Sequence, residues 1–157
     1  MLNLLTLVIV GLYKIKPIAM KHQVKMQWAG KMAFEAKAAK HTIRIDVDED
    51  KGGEDSGFRP KMLSLASLGG CSGMDVVSIL KKMKVEPDEF FIEIEGELTE
   101  EHPQIYNNIH LKYIFKGDNL PEDKLKKAIT LSQEKYCGVT AMLKHASNIT
   151  WEVVNQS

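Results

Sequence analysis

The chain is poor in cysteine, poor in arginine, without excess charge of either sign, and without a long hydrophobic run. Its 157 residues include two cysteines, Cys71 and Cys137. Two cannot build the disulfide framework of a small secreted scaffold, and a chain of this length buries a core without such staples. A reduced, cytoplasmic setting is therefore expected. Arg44 and Arg59 are the only arginines, which argues against a bidentate arginine cluster for phosphate or RNA. Positive and negative residues balance at 21 each, so no net field recruits nucleic acid. The histidines (His22, His41, His102, His110, His145) show no ligand spacing, and neither a metal centre nor a cofactor is expected. Apolar residues at 44% and charged residues at 27% are ordinary globular usage and exclude a disordered chain.

The most apolar run, Leu2 to Tyr13, is about a dozen residues against the roughly 20 needed to span a bilayer. It lacks a basic start and a small-residue cleavage site, and Lys14 and Lys16 follow rather than precede it. Residues 1–19 read as an N-terminal extension with an upstream start ahead of Met20, and residues 20–157 as one domain. A signal-like peptide and an extra strand are the rival readings of the extension. No membrane association is expected.

What is present begins with alternation. Gln23–Trp28, Ala33–Lys37 and His41–Asp48 place apolar side chains on every second position, the period of half-buried strands joined by turns at Ala29-Gly30 and Ala38–Lys40. Asp46, Asp48 and Asp50 follow a calcium-loop pattern at first. The template then requires glycine where Lys51 stands and glutamate where Gly57 stands. The stretch 46–57 reads as a solvated loop.

Pro60 suits a helix's first turn, and the apolar positions from Leu63 to Met83 occupy more than one face, as in a central helix buried on several sides. Lys81, Lys82 and Lys84 complement its C-terminal dipole. Gly69-Gly70 weakens a helix interior by about 1 kcal/mol per glycine, which predicts something packed tightly against the backbone just before Cys71. Phe90–Leu98 and Ile109–Phe115 read as a hairpin. A second helix runs from Pro121 to about Tyr136, with Leu125, Ala128, Ile129, Ser132 and Tyr136 inward and Gly138 as its stop. A short helical turn precedes a last strand, Asn148–Val154, and Trp28 and Trp151 read as strand core. Three strands, helix, two strands, helix, strand is an α+β order with mainly antiparallel sheet.

The two cysteines carry the chemistry. Sixty-six positions separate them, too far for a zinc knuckle and no obstacle to thiols that meet in space. Small residues flank Cys71, and Cys137 stands where a helical segment ends.

The run Pro60–Met74 (PKMLSLASLGGCSGM) resembles the first cysteine helix of the OsmC/Ohr family, the osmotically inducible and organic-hydroperoxide-resistance proteins. Tyr136-Cys137 resembles its second cysteine site, and Trp28-Ala29-Gly30 is similar to the tryptophan-x-glycine of its early strand. The likeness spans about Met20 to Val154. Glu101-His102-Pro103 and Glu134–Cys137 are most similar to a less characterised OsmC-like branch.

The resemblance implies an OsmC-like fold: antiparallel sheets packed around a central cysteine-bearing helix, in an intertwined homodimer with two sites at the subunit interface. It further implies a thiol peroxidase acting on organic hydroperoxides. Cys71 would be peroxidatic and Cys137 resolving through a disulfide, which a dithiol such as a lipoyl group reopens. The chain departs from the family pattern around the thiols. Lys61 stands where hydroperoxide-specialised members carry glutamate, Lys31 follows Gly30 where they carry the activating arginine, and no proline follows Cys137. Lys31 is then the expected thiolate-stabilising point charge, with Arg59 as the substitute by position. A non-catalytic small-ligand-binding protein and a thiol redox sensor remain as alternatives.

Overall fold

A computed structural model describes residues 20–156. The extension 1–19 lies outside the described residues. Three short strands come first: β1 (Lys25–Trp28), β2 (Phe34–Ala38) and β3 (His41–Ile45), each antiparallel to the next. Their register sets Trp28, Phe34 and Ile45 in one row and Met26, Ala36 and Ile43 in the next but one. All six therefore share one face of this sheet, as period-two alternation requires.

That face is not a core within one chain. The expected half-buried β1 is exposed along its whole length, and Trp28 is 65% exposed. The physical reason is that, among the described residues, the elements of the first sheet make substantial contacts only with one another, which leaves much of its apolar face open although Ala36 is buried.

The acidic stretch after β3 is more ordered than a solvated loop. Asp46 is buried at its start. Its carboxylate accepts from the amides of Val47, Glu54 and Ser56 and from the Ser56 hydroxyl at 2.7 Å. A single 3₁₀ turn, Glu49–Lys51, lies between these contacts.

Helix α1 (Pro60–Lys82) starts with Pro60 as expected and ends with two lysines in its last turn. At 23 residues it is about 34 Å long. It is long and apolar enough to cross a membrane by length and composition alone, yet it lies against β4, α2 and α3 as a core helix. Leu68, Val76 and Leu80 are its inward side. The prediction of burial on several sides holds only in part, because Met74 and Val77 are 71% and 53% exposed on an open flank.

The second sheet is built of β4 (Glu89–Leu98), β5 (Tyr106–Lys116) and β6 (Asn148–Gln156) in that order. β4 and β5 form the expected antiparallel hairpin. β6 pairs with β5 in parallel, so this sheet is mixed. The return through two helices provides the long crossover that a parallel neighbour needs. Alternate residues of β5, namely Ile109, Leu111, Tyr113 and Phe115, are fully buried and meet α1 and the second long helix in one core.

Between β5 and β6 lie α2 (Glu122–Leu131), a π-helical turn (Ser132–Tyr136) and α3 (Gly138–Leu143). Two expectations are corrected here. Tyr136 points outward, 53% exposed, because the wider π turn shifts the helical phase after Ser132. Gly138 is the first residue of α3 rather than a helix stop, with Cys137 as the cap between the two segments.

Candidate functional site

The two cysteines meet. Cys71 sits half-buried in the middle of α1, and Cys137 is buried against the same core. Asp75 joins them, since it stands one helical turn after Cys71 on the same face of α1. One donor atom from each of Cys71, Asp75 and Cys137 lies within 4.8 Å of the others. A disulfide holds its sulfurs at about 2.05 Å, and both cysteines are free thiols here.

The glycines explain how α1 reaches this position. A Cβ on Gly69 would stand 2.6 Å from Cδ1 of Ile94, and one on Gly73 would stand 3.1 Å from Cδ1 of Ile92. Both approach β4, one turn apart, on either side of Cys71. Gly70 meets nothing within 4 Å. The close approach predicted from the Gly69-Gly70 pair thus belongs to Gly69 and Gly73.

Cys137 is set by the π turn and by its cap. Its amide donates to the carbonyl of Ser132 at 2.9 Å, the wide hydrogen bond that closes the turn. Its Sγ accepts from the Thr140 amide at 3.3 Å. A buried polar network holds that turn against α1 and β5. The Ser72 and Tyr113 hydroxyls lie 2.5 Å apart, and Gln133 Nε2 donates to Tyr113 at 2.7 Å and to Ser72 at 3.1 Å. Thr140 donates to Gln133 Oε1 at 3.2 Å, and Ser132 Oγ lies 3.0 Å from Ser72 and donates to Asp75 at 3.2 Å. Three segments that are distant in sequence, α1, β5 and the stretch 132–140, are tied around the thiol pair by one satisfied network, which rigidifies the site.

Burial pushes the Cys137 thiol above its ordinary pKa. The Thr140 hydrogen bonds act the other way, and the neighbouring Cys71 adds to the rise. Tyr113 is likewise raised by burial, against its hydrogen bonds from Ser72 and Gln133.

The expected cations stand elsewhere in the chain. Arg59 pairs with Asp48 and, at 3.7 Å, with Asp55. It precedes α1, about three turns or 18 Å of helix axis from Cys71. Lys31 lies in the turn between β1 and β2 and pairs with Glu54 at 2.8 Å. Among the described residues neither makes a hydrogen bond or ion pair with Cys71 or Cys137. Both are held by carboxylates of the loop that follows β3, Glu54 for Lys31 and Asp48 and Asp55 for Arg59.

The family model of OsmC-like protein matches residues 52–152, from the loop before α1 into β6. The chain belongs to the OsmC/Ohr family. Protein YhfA of Escherichia coli K12 is 35% identical over 135 residues, covering 84% of this chain and 98% of YhfA. A protein of Aquifex aeolicus VF5 known from its crystal structure is 36% identical, covers 88% of this chain and 99% of its own, and superposes with a TM-score of 0.75. An organic hydroperoxide resistance protein OsmC from Legionella pneumophila covers 87% of this chain and 98% of its own, with a TM-score of 0.66. At 13% identity that last likeness shows the fold alone.

Within this OsmC/Ohr fold, sequence reasoning missed most of the thiols' surroundings. Asp75 had a signal, since a carboxylate four residues after a cysteine on a helix shares its face. Ser72, Ser132, Gln133 and Thr140 had a weaker one, being polar residues within apolar helical stripes. Tyr113 had none beyond β alternation, because its hydroxyl partner is 41 residues away.

Proposed function

We propose that this OsmC/Ohr protein is a cysteine-based thiol peroxidase that reduces organic hydroperoxides, with residues 20–157 as its catalytic domain and the cytoplasm as its setting. The observation that carries the reading is the convergence of Cys71 and Cys137, from α1 and from the π turn, at one spot. The more accessible Cys71 is the attacking group. Its thiolate displaces alkoxide from the peroxide O–O bond, giving a Cys71 sulfenic acid and, after protonation, an alcohol. The Cys137 sulfur then attacks the sulfenic sulfur, forming the disulfide and releasing water. A dithiol reductant of the lipoyl kind exchanges with that disulfide and restores both thiols.

An opening of about 330 Å³ reaches the site at Asp75, and its wall includes Ile79, Met83, Leu131 and Tyr136. Its apolar wall suits an organic peroxide better than hydrogen peroxide. The working form is a homodimer, because the first sheet's apolar face and the Met74–Val77 flank need a cover. Lys31 and Arg59 can act on a thiol only across such an interface.

A second reading, a redox sensor with little turnover, is favoured by one feature. Lys31 and Arg59, the cations expected to serve a thiolate, are paired with carboxylates instead. Reaction of the reduced chain with a limiting organic hydroperoxide, followed by thiol counting and intact mass, decides between them. Repeated turnover with a dithiol, loss of two thiols per chain, and sulfenic acid accumulating at Cys71 in Cys137→Ser support the peroxidase. A single oxidation without turnover leaves the sensor, and thiols inert to millimolar peroxide sink both.

A further inference from the structure

Asp75 completes a donor set with Cys71 and Cys137, and the peroxide reaction gives it no part. The case against a metal rested on sequence spacing, and the fold assembles ligands that spacing keeps apart. A tetrahedral zinc ion with Zn–S bonds of about 2.3 Å holds two ligand sulfurs about 3.8 Å apart. The three donor atoms already lie within 4.8 Å of one another, so an ion needs the two sulfurs to close by no more than about 1 Å.

Two further observations fit ligation. Each of two donors already has the outer hydrogen bond that orients metal ligands: Ser132 Oγ to Asp75 at 3.2 Å, and the Thr140 amide to Cys137 Sγ at 3.3 Å. And Asp75, half-buried, has no ion-pair partner among the described residues. A divalent cation would offset the carboxylate and both thiolates at once. Two sulfurs and one oxygen select a borderline-soft ion over magnesium or calcium.

We propose that the reduced protein binds one divalent transition-metal ion of the zinc class through Cys71 Sγ, Cys137 Sγ and the Asp75 carboxylate. The fourth position is left to water on the side of the opening that Asp75 lines. Each thiol releases a proton on binding, and no electron moves. Metal and disulfide exclude one another, because the disulfide consumes two of the three ligands. The site therefore holds its ion only while reduced, and peroxide oxidation of both sulfurs releases it. This goes beyond the peroxidase reading and stands whether or not the enzyme turns over.

The test is anaerobic titration of the reduced full chain with Co²⁺, read by absorption. One equivalent should give a sulfur-to-cobalt charge-transfer band and the strong visible bands of a tetrahedral ion, both removed by Zn²⁺. Cys71→Ser and Cys137→Ser should each weaken the charge-transfer band. Asp75→Asn, nearly isosteric, should lower affinity about tenfold or more with an unchanged circular dichroism melt. Disulfide-form protein should not bind. A wild-type titration with only the weak spectrum of hydrated cobalt overturns the proposal, as does a charge-transfer band of undiminished strength in both cysteine variants or an unchanged affinity in Asp75→Asn. Hydroperoxide turnover without a cobalt spectrum overturns this inference alone, and a cobalt spectrum on peroxide-inert thiols supports it while the peroxidase reading fails.

Discussion

Cys71 and Cys137 are the same chemical group in two surroundings, and the difference makes their reactivity unequal. Cys137 is 3% exposed and its thiol is pushed up by burial, whereas Cys71 is half-buried on a helix flank. With iodoacetamide at pH 7, Cys71 is alkylated first, and Cys137 lags until the pH rises toward and past the ordinary thiol range near 8.5. Peptide mass mapping over time reads the order directly, and equal rates would remove the asymmetry from which the roles are assigned. Asp46 gives a second residue-scale prediction. The Ser56 hydroxyl holds its carboxyl well below the usual carboxylate range, with the amides of Val47, Ser56 and Glu54 acting the same way against burial. A depressed folded pKa gives stability that is full above the unfolded value, near 3.9, and that is lost as the pH falls through and below it. Thermal melts between pH 2 and 7 should show Asp46→Asn losing stability at neutral pH and less acid sensitivity than the parent below about pH 4.

At the scale of elements, α1 is held against β4 by missing side chains. Gly69→Ala puts a methyl group 2.6 Å from Ile94 Cδ1. Overpacking costs about 1–3 kcal/mol, partly offset by the roughly 1 kcal/mol that alanine regains in a helix interior and by any shift of the Ile94 terminal methyl, so a lower urea midpoint is expected. Gly73→Ala, at 3.1 Å, should cost less. The π turn depends on satisfied polar atoms in the same way. Tyr113→Phe removes the hydroxyl that Ser72 and Gln133 share, and leaving buried groups unpaired costs about 1–3 kcal/mol. If the network positions Cys137, the same variant also slows disulfide closure after Cys71 oxidation, which a stability loss alone would not do under conditions where the protein stays folded.

For the whole molecule, the decisive quantity is the apolar surface a single chain leaves open. Trp28, Met26, Phe34 and Ile43 lie on one face of the first sheet, and Met74 and Val77 on the α1 flank. The proposed homodimer covers them, so light scattering should return twice the 17.7 kDa chain mass. The double substitution Met74→Asp with Val77→Asp places two charges on that flank and should dissociate the dimer, since an unpaired charge is strongly disfavoured in a buried contact. A parent chain that scatters as a monomer at micromolar concentration would leave the exposed face unexplained and take Lys31 and Arg59 out of the site.

The order of elements was legible along the chain because it rests on local physics. Alternation marks β3 to β5, a proline opens α1, lysines close it, and acidic residues start α2. Cys71 and Cys137 stood out along the chain as well, through the small-residue context of the one and the helix end at the other. What only the tertiary structure decided depends on contacts between distant residues. These include the parallel return of β6, the π turn that carries Tyr136 outward and Cys137 inward, and the burial of Asp46. They also include the pairing of Arg59 and Lys31 with carboxylates of the loop after β3. Above all, sequence spacing places Cys71 and Cys137 sixty-six positions apart and says nothing of distance. Only the packing of α1 against the turn after α2 brings two thiols and a carboxylate to one point.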